Sequence, residues 1–284
     1  MFNQNIKSPV NIPASKIHPF EGNPYKVLDN DEMNTLICSI QEQGILTPII
    51  IRPIENTDEY EVISGHRRLH ATVKAGMKEV PAFIYAITRD EAAIMLVDSN
   101  LHREHILPSE RAFAYKLKLD AIKHQGKTSM QLAQKLSVEV VGESAGESKD
   151  KVRRYIRLTY LIPELLELVD EEKIALTPAV ELSYLTDEEQ YSLLGTIEEE
   201  DRTPSLSQAV RFKKLSQAGE LSDESIETIM QEDKANQKPM FKVSMERLQK
   251  VAPKVKDKDF EDFVLKACEH YYRYLLRQRD RDSR

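Results

Sequence analysis

The chain holds 284 residues, 40% of them apolar and 31% charged, and its 47 acidic and 40 basic side chains give a net charge of −7. The length allows two domains, or three small ones, and the acidity excludes a uniformly basic nucleic-acid binder while leaving room for a local basic face. No apolar run approaches the ~20 residues that span a bilayer, the first residues lack a charged-then-apolar signal pattern, and Cys38 and Cys268 match no disulfide or metal spacing, so a cytoplasmic protein with no membrane partner is expected.

Residues 1–30 carry Pro9, Pro13, Pro19, Gly22 and Pro24 and read as irregular chain with short extended pieces such as "VNIP". Met33, Leu36, Ile37 and Ile40 recur at helical spacing, predicting a helix over 31–43 with Gly44 as its C-cap. "TPIIIRPI" and "DEYEVISG" are β-branched runs joined by "ENTD", a hairpin signal. A helix over 66–75 ends at Gly76, and "VPAFIYA" is a third strand. Thr88 and Glu91 form a capping box that opens a helix to about Asn100.

From Ser109 onward the pattern is helical. Ser109 is placed to cap a helix running to about His124, with Gly126 ending it. Thr128 and Gln131 form a second capping box before "LAQKL". "SVEVVGESAGESKDK" then reads as an interruption, a hairpin or wing inserted over 137–148, after which "KVRRYIRLTYL" resumes the helix. Short helices follow in "PELLELVDE", "TPAVELSYL", "TDEEQYSLLGTI" and "SLSQAVRFKKLSQ". A polar linker over 231–239 precedes a last helix from about Asp259, whose Phe260, Phe263, Ala267, Tyr271, Tyr274 and Leu275 form an amphipathic stripe. The expected class is α+β: a mixed α/β unit over 1–107, a helical domain over 108–230, and a linker with a helical segment over 231–284.

Charge is unevenly spread. Residues 149–157 hold five bases and one acid, residues 164–201 hold thirteen acids and one base, and the last twelve residues hold five arginines and two aspartates. The stretch "SGHRRLHA" (64–71) places Arg67 and Arg68 at a helix start, where the macrodipole disfavours cations by about 0.3–1 kcal/mol each. A bound anion reverses that sign. A glycine-marked strand-to-helix turn exposes backbone N–H groups, and arginine forks suit phosphate oxygens, so the local chemistry points to a phosphate ligand or, more blandly, to two solvated arginines.

"TPIIIRP", "YEVISGHRRLHATVKAG", "VPAFI" and "VDSNLHREHILPSERAFAYK", in that order and spacing, resemble the N-terminal domain of the ParB/RepB partition-protein family over residues 12–120. "RYIRLTYLIPELLELVDEEKIALTPAVELSYL" resembles that family's helix-turn-helix domain, and the nearest kinship is with ParB-like proteins of plasmids and integrative elements. The resemblance implies a ParB-type fold and a cytidine triphosphate pocket with Mg²⁺. The matching positions are Thr47, Pro48, Gly65, His66, Arg67, Arg68, Asn100 and Arg103, with Asn100 offering an oxygen to the metal. His66 and Ser99 stand where the family has glutamates. Since Mg²⁺ prefers carboxylate oxygens, the expectation is nucleotide binding with at most a weak CTPase activity, and no catalytic residue is assigned.

The resemblance also implies double-stranded DNA as partner, a homodimer joined through the C-terminal stripe, a Walker-type (ParA) ATPase partner and a place on the nucleoid. DNA reading needs a helix in the major groove with phosphate contacts around it. The candidates are Thr128, Ser129 and Gln131 on the first helix, and Lys149, Lys151, Arg153, Arg154 and Arg157 on the second, whose Val152, Tyr155, Ile156 and Leu158 face a core. Three readings stay open: a nucleotide-gated partition clamp, a site-specific regulator with a degenerate pocket, and a nuclease or small-molecule kinase on the same fold. For a kinase, Glu61, Asp98 and Glu104 are the carboxylates at hand.

Overall fold

A computed structural model describes residues 8–101, 103, 105–125, 130–232, 249–252, 255 and 260–282, with side chains described except at 130–137, 260–261 and 275–282. Contacts divide the chain into two compact units, Met1–Glu232 and Asp233–Arg284. The boundary expected near 107 falls inside the first of them.

A five-stranded sheet opens that unit, in the order β1 (Val10–Pro13), β5 (Glu79–Ile84), β3 (Ile49–Pro53), β4 (Tyr60–Ser64), β2 (Ile17–His18). β3 and β4 form the expected antiparallel hairpin, β3 runs parallel to β5, and β1 closes one edge antiparallel to β5. Side chains alternate across a strand, and here both faces are covered. Val62 packs with Ile49, Ile51, Leu69, Val80 and Ala82 on one side. Ile63 packs with Ala92, Ala93, Leu96 and Val97 on the other. That double burial is why these strands read as continuous apolar runs. The helices α1 (Asp31–Gln43) and α3 (Arg89–Asn100) have the expected bounds, and α2 (His66–Lys74) closes one residue early. Asn30 caps α1 through Met33 N–H, Gly44 ends it at φ +71°, and Thr88 with Glu91 makes the capping box of α3.

The rest of the unit is helical: α4 (Pro108–Gln125), α5 (Met130–Ala145), α6 (Lys149–Arg157), α7 (Pro163–Asp170), α8 (Leu176–Leu182), α9 (Asp187–Glu200), α10 (Leu206–Ala218) and α11 (Asp223–Gln231). Two expectations are corrected. Ser109 is not the cap of α4, which already includes Pro108; its N–H and hydroxyl both donate to the buried Asp170 at the end of α7, 2.8 and 2.5 Å away. The interruption expected over 137–148 shrinks to the three residues 146–148, because α5 runs on to Ala145. Val138 and Val141 on that stretch bury against Tyr115, Leu119 and Val152, and this packing outweighs the poor helix propensity of its valines and glycine.

α4 is the central rod, touching α3 on one side and α5, α6 and α7 on the other. In the second unit, α12 (Phe260–Asp282) begins where expected. Phe263, Tyr271 and Tyr274 of its stripe are exposed, and the last two stack with centroids 6.2 Å apart. The linker expected over 231–239 lies outside the described residues from 233 on.

Candidate nucleotide cleft and helix-turn-helix

Gly65 makes the turn from β4 into α2 at φ +104°, and a Cβ there would sit 2.7 Å from Ile49 Cγ2. Only glycine fits both demands. The turn borders a cleft of about 540 Å³ whose walls are Glu32, Thr35 and Ser39 of α1, residues 64–68, and Arg103 beyond α3. Five sequence candidates therefore meet here: Gly65, His66, Arg67, Arg68 and Arg103. A second cavity of about 480 Å³ shares Glu32, Arg67 and Arg103 and extends to Lys26, Asn30, Glu110 and Asp170.

The other candidates act one step back. Thr47 and Pro48 turn their carbonyls to Arg68, whose Nη1 donates to both, at 2.8 Å for Pro48. Burial lowers the Arg68 pKa from its ordinary value, and the two carbonyl oxygens hold the guanidinium at the helix start. Arg67 pairs with Glu32 at 3.0 Å. Arg103 lies over the Tyr25 ring, 5.6 Å from its centroid. Asn100 is buried in the last turn of α3, outside the cleft lining, where its Nδ2 donates to Leu96 O at 2.7 Å and Ser99 Oγ at 3.2 Å.

His66 is mostly buried. Desolvation, helped by the charge of Arg103, pushes its pKa down to about 4, so it is neutral at pH 7. Its Nε2 accepts from Phe20 N–H at 3.3 Å, which assigns the ring proton to Nδ1.

The donor set suits a phosphate chain: a glycine turn that a Cβ would fill, the first N–H groups of a nine-residue helix, and three guanidinium groups. It does not suit a protein-held Mg²⁺. The cleft's carboxylate, Glu32, is engaged with Arg67, Ser99 bonds Leu96 O, and no group of three His, Cys, Asp or Glu able to hold a metal occurs among the described residues. Among the described residues, the carboxylates considered for kinase chemistry are engaged elsewhere. Glu61 is buried against Arg52 at 2.8 Å, Asp98 pairs with Lys118, and Glu104 lies outside the described residues.

The second candidate site is α5, a three-residue turn and α6. Gly146 (φ +66°) ends α5, with Gly146 N–H to Glu143 O and Glu147 N–H to Gly142 O closing the turn, a Schellman arrangement. Gly142 permits the close return, since a Cβ there would lie 2.7 Å from Glu147 O. Ser148 then caps α6 through Lys151 N–H. Glu147, in the turn and nearly buried, accepts from Arg111 at 3.0 Å and Tyr115 OH at 2.9 Å, both on α4, and pairs with Lys151 at 2.8 Å.

Val152 and Leu158 are fully buried, with Tyr155 and Ile156 packed beside them. Lys149, Lys151 and Arg153 are exposed, with Lys149 near Glu139 (3.2 Å) and Arg153 near Asp150 (3.2 Å). Arg154 donates to Thr177 of α8. Arg157 is set apart from the exposed group: its guanidinium bonds Ser183 Oγ (3.0 Å) and O (2.6 Å) and is stacked between Tyr160 and Tyr184, 4.4 and 3.9 Å from their centroids. It anchors the end of α6 to α8. Thr128 and Ser129 lie outside the described residues, as does the side chain of Gln131.

The model of the ParB N-terminal domain matches residues 3–101. The chromosome-partitioning protein Spo0J of Thermus thermophilus is 32% identical over 202 residues, 71% of this chain and 70% of that protein.

The chain belongs to the ParB family.

A nucleoid occlusion protein of Listeria innocua is 31% identical over 197 residues, 69% of this chain and 65% of that relative, so this ParB-family chain spans just under two thirds of its length. The C-terminally truncated ParB of Caulobacter crescentus is similar in two crystal structures. One is complexed to the centromeric parS site (20% identity, 78% of this chain and 98% of that one, TM-score 0.42). The other is complexed with CTP-γ-S (22%, 68% and 99%, TM-score 0.32). The relatives' names speak of chromosome and nucleoid rather than of plasmids or integrative elements. The expected mixed α/β domain followed by a helical one is what this ParB-family chain has. No helix among the described residues is long and apolar enough to cross a membrane.

Proposed function

We propose that this protein is a DNA-binding partition factor that reads a centromere-like duplex site with α6 and takes a cytidine nucleotide in the cleft at Gly65, as a homodimer on the nucleoid in the cytoplasm. The observation that carries the reading is the α5–α6 pair. Its turn is short and locked by Glu147, and its second helix buries one face and exposes Lys149, Lys151 and Arg153 near its N-terminus. That is the end of a reading helix that meets base edges. Arg154, Thr177 and the N-terminus of α5 would lie toward the flanking phosphates.

In the cleft, Arg67, Arg68, Arg103 and the first N–H groups of α2 would hold the triphosphate, whose charge favours the three cations gathered there. His66, neutral and turned to Phe20, and Ser99, turned to Leu96, supply no carboxylate for activating water, so binding without efficient hydrolysis is the expected behaviour. Exposed Phe263, Tyr271 and Tyr274 of α12 offer the apolar surface for pairing of two copies. Family membership supports a role in segregating the replicon that carries the site, with a Walker-type ATPase as the partner.

The test is selection from random duplexes by the purified protein. The wild type is expected to enrich one inverted-repeat motif, and Lys149→Ala/Arg153→Ala to lose it while staying folded. For each phosphate contact removed, the slope of log K against log salt falls by about 0.9. Enrichment of the same motif by both proteins would overturn the reading-helix assignment.

A further inference from the structure

Lys118 is the one lysine among the described residues that is buried. It sits at the middle of α4 and its ammonium faces two ways: to Asp98, in the last turn of α3, and to Ser144 Oγ at 2.6 Å in the last turn of α5. Burying an ammonium is costly unless it is paired and hydrogen-bonded. Here the groups that compensate it lie on the helices that lead to the two candidate sites, outside the cleft lining itself. On the α3 side, Asp98 shares its turn with Ser99 and Asn100, and Asn100 O accepts from the N–H of Arg103, which lines the cleft. On the α5 side, Ser144 is three residues before Glu147, which fixes the turn and holds Lys151 of α6. Arg111, Tyr115 and Lys118 fall on one face of α4 at helical spacing, and all three grip the end of α5 or the turn after it.

We infer that Lys118 is a positioning residue through which occupancy of the nucleotide cleft and occupancy of the DNA helix influence each other. The inference rests on the proposed function for the identity of the two ligands. A shift of the α3 end when the cleft fills moves Asp98, and the buried ammonium must either follow it, dragging Ser144 and the turn, or give up one partner. Lys118 touches neither ligand, so its removal should uncouple the sites without emptying them.

The experiment measures four dissociation constants for the full chain: CTP with and without the selected duplex, and the duplex with and without CTP. Coupling between sites is reciprocal, so both pairs must give the same factor. Wild type is expected to show a factor of about five or more, in the common range for linked sites. Lys118→Met removes the ammonium at similar length and leaves Asp98 a side chain that is 44% exposed and able to hydrate. It should keep each single-ligand affinity within about threefold and bring the factor to about one. Ser144→Ala, at an exposed position, cuts only the α5 side of the link and should lower the factor too, which answers the case in which the methionine variant does not fold. A factor unchanged from wild type in a folded variant overturns the inference and leaves the proposed function standing. A wild type that binds neither ligand, or binds both with a factor of one, overturns it as well, and failure to bind also removes the reading on which it rests.

Discussion

Replacing Gly65 by alanine should damage the first unit more than the same change at Gly76, and the amount can be worked from two terms. The residue sits at φ +104°, where an L side chain costs about 1–2 kcal/mol. Its new Cβ would also lie 2.7 Å from Ile49 Cγ2 and 3.1 Å from Ile49 Cβ. Ile49 is fully buried in the sheet core, so it has nowhere to go, and overpacking of this kind costs about 1–3 kcal/mol. The sum is about 2–5 kcal/mol. Gly76 is the control: its φ is +76°, but nothing lies within 4 Å of a Cβ, so Gly76→Ala should carry the backbone term alone, about 1–2 kcal/mol. Urea unfolding followed by far-ultraviolet circular dichroism measures both shifts in midpoint. Equal shifts for the two variants would refute the steric argument for this turn.

Glu147→Ala removes the acceptor of Arg111 and Tyr115 and the partner of Lys151; breaking a mostly buried pair of this kind should cost about 2–4 kcal/mol by urea unfolding, with weaker duplex binding. Stability should also depend on His66 between pH 6.5 and 4. The unfolded chain binds the imidazole proton near pH 6.5 and the folded chain only near 4, so the contribution is complete above pH 6.5 and is lost as pH falls toward 4. His66→Gln should flatten that part of the stability–pH curve, and an unchanged curve would show that the imidazole is not held neutral by burial.

Much of this architecture was legible because local signals and packing agree. Asn30, Thr88, Thr186 and Ser205 cap helices through side chains three residues from their partners, and such caps are written in short stretches of sequence. The α6 basic face was legible for the same reason. The continuity of α5 was not. "SVEVVGESAG" carries valines, glycines and serines that favour other structures, and only contact with Tyr115, Leu119 and Val152 makes it helical. Gly146 and the Ser148 cap did mark the true turn. Arg157 shows the opposite limit. Its spacing puts it with the DNA-facing bases, yet Ser183 and Tyr184, distant in sequence, claim it. Glu147 and Lys118 were missed because their partners come from four separate helices, and nothing in their own neighbourhoods marks them.

If α6 reads DNA and nucleotide in the Gly65 cleft closes the protein into a clamp on it, the protein should spread outward from its site. Genome-wide occupancy in the native host tests both parts at once, comparing wild type with Lys149→Ala/Arg153→Ala and with Arg67→Ala. Arg67 serves better than Arg68 here, because its guanidinium is partly exposed and pairs with the exposed Glu32 rather than holding the Thr47 and Pro48 carbonyls. Broad enrichment around a site is expected in wild type, no enrichment in the α6 variant, and a peak narrowed to the site itself in the Arg67 variant. Enrichment that survives unchanged in the folded α6 variant would contradict that expectation.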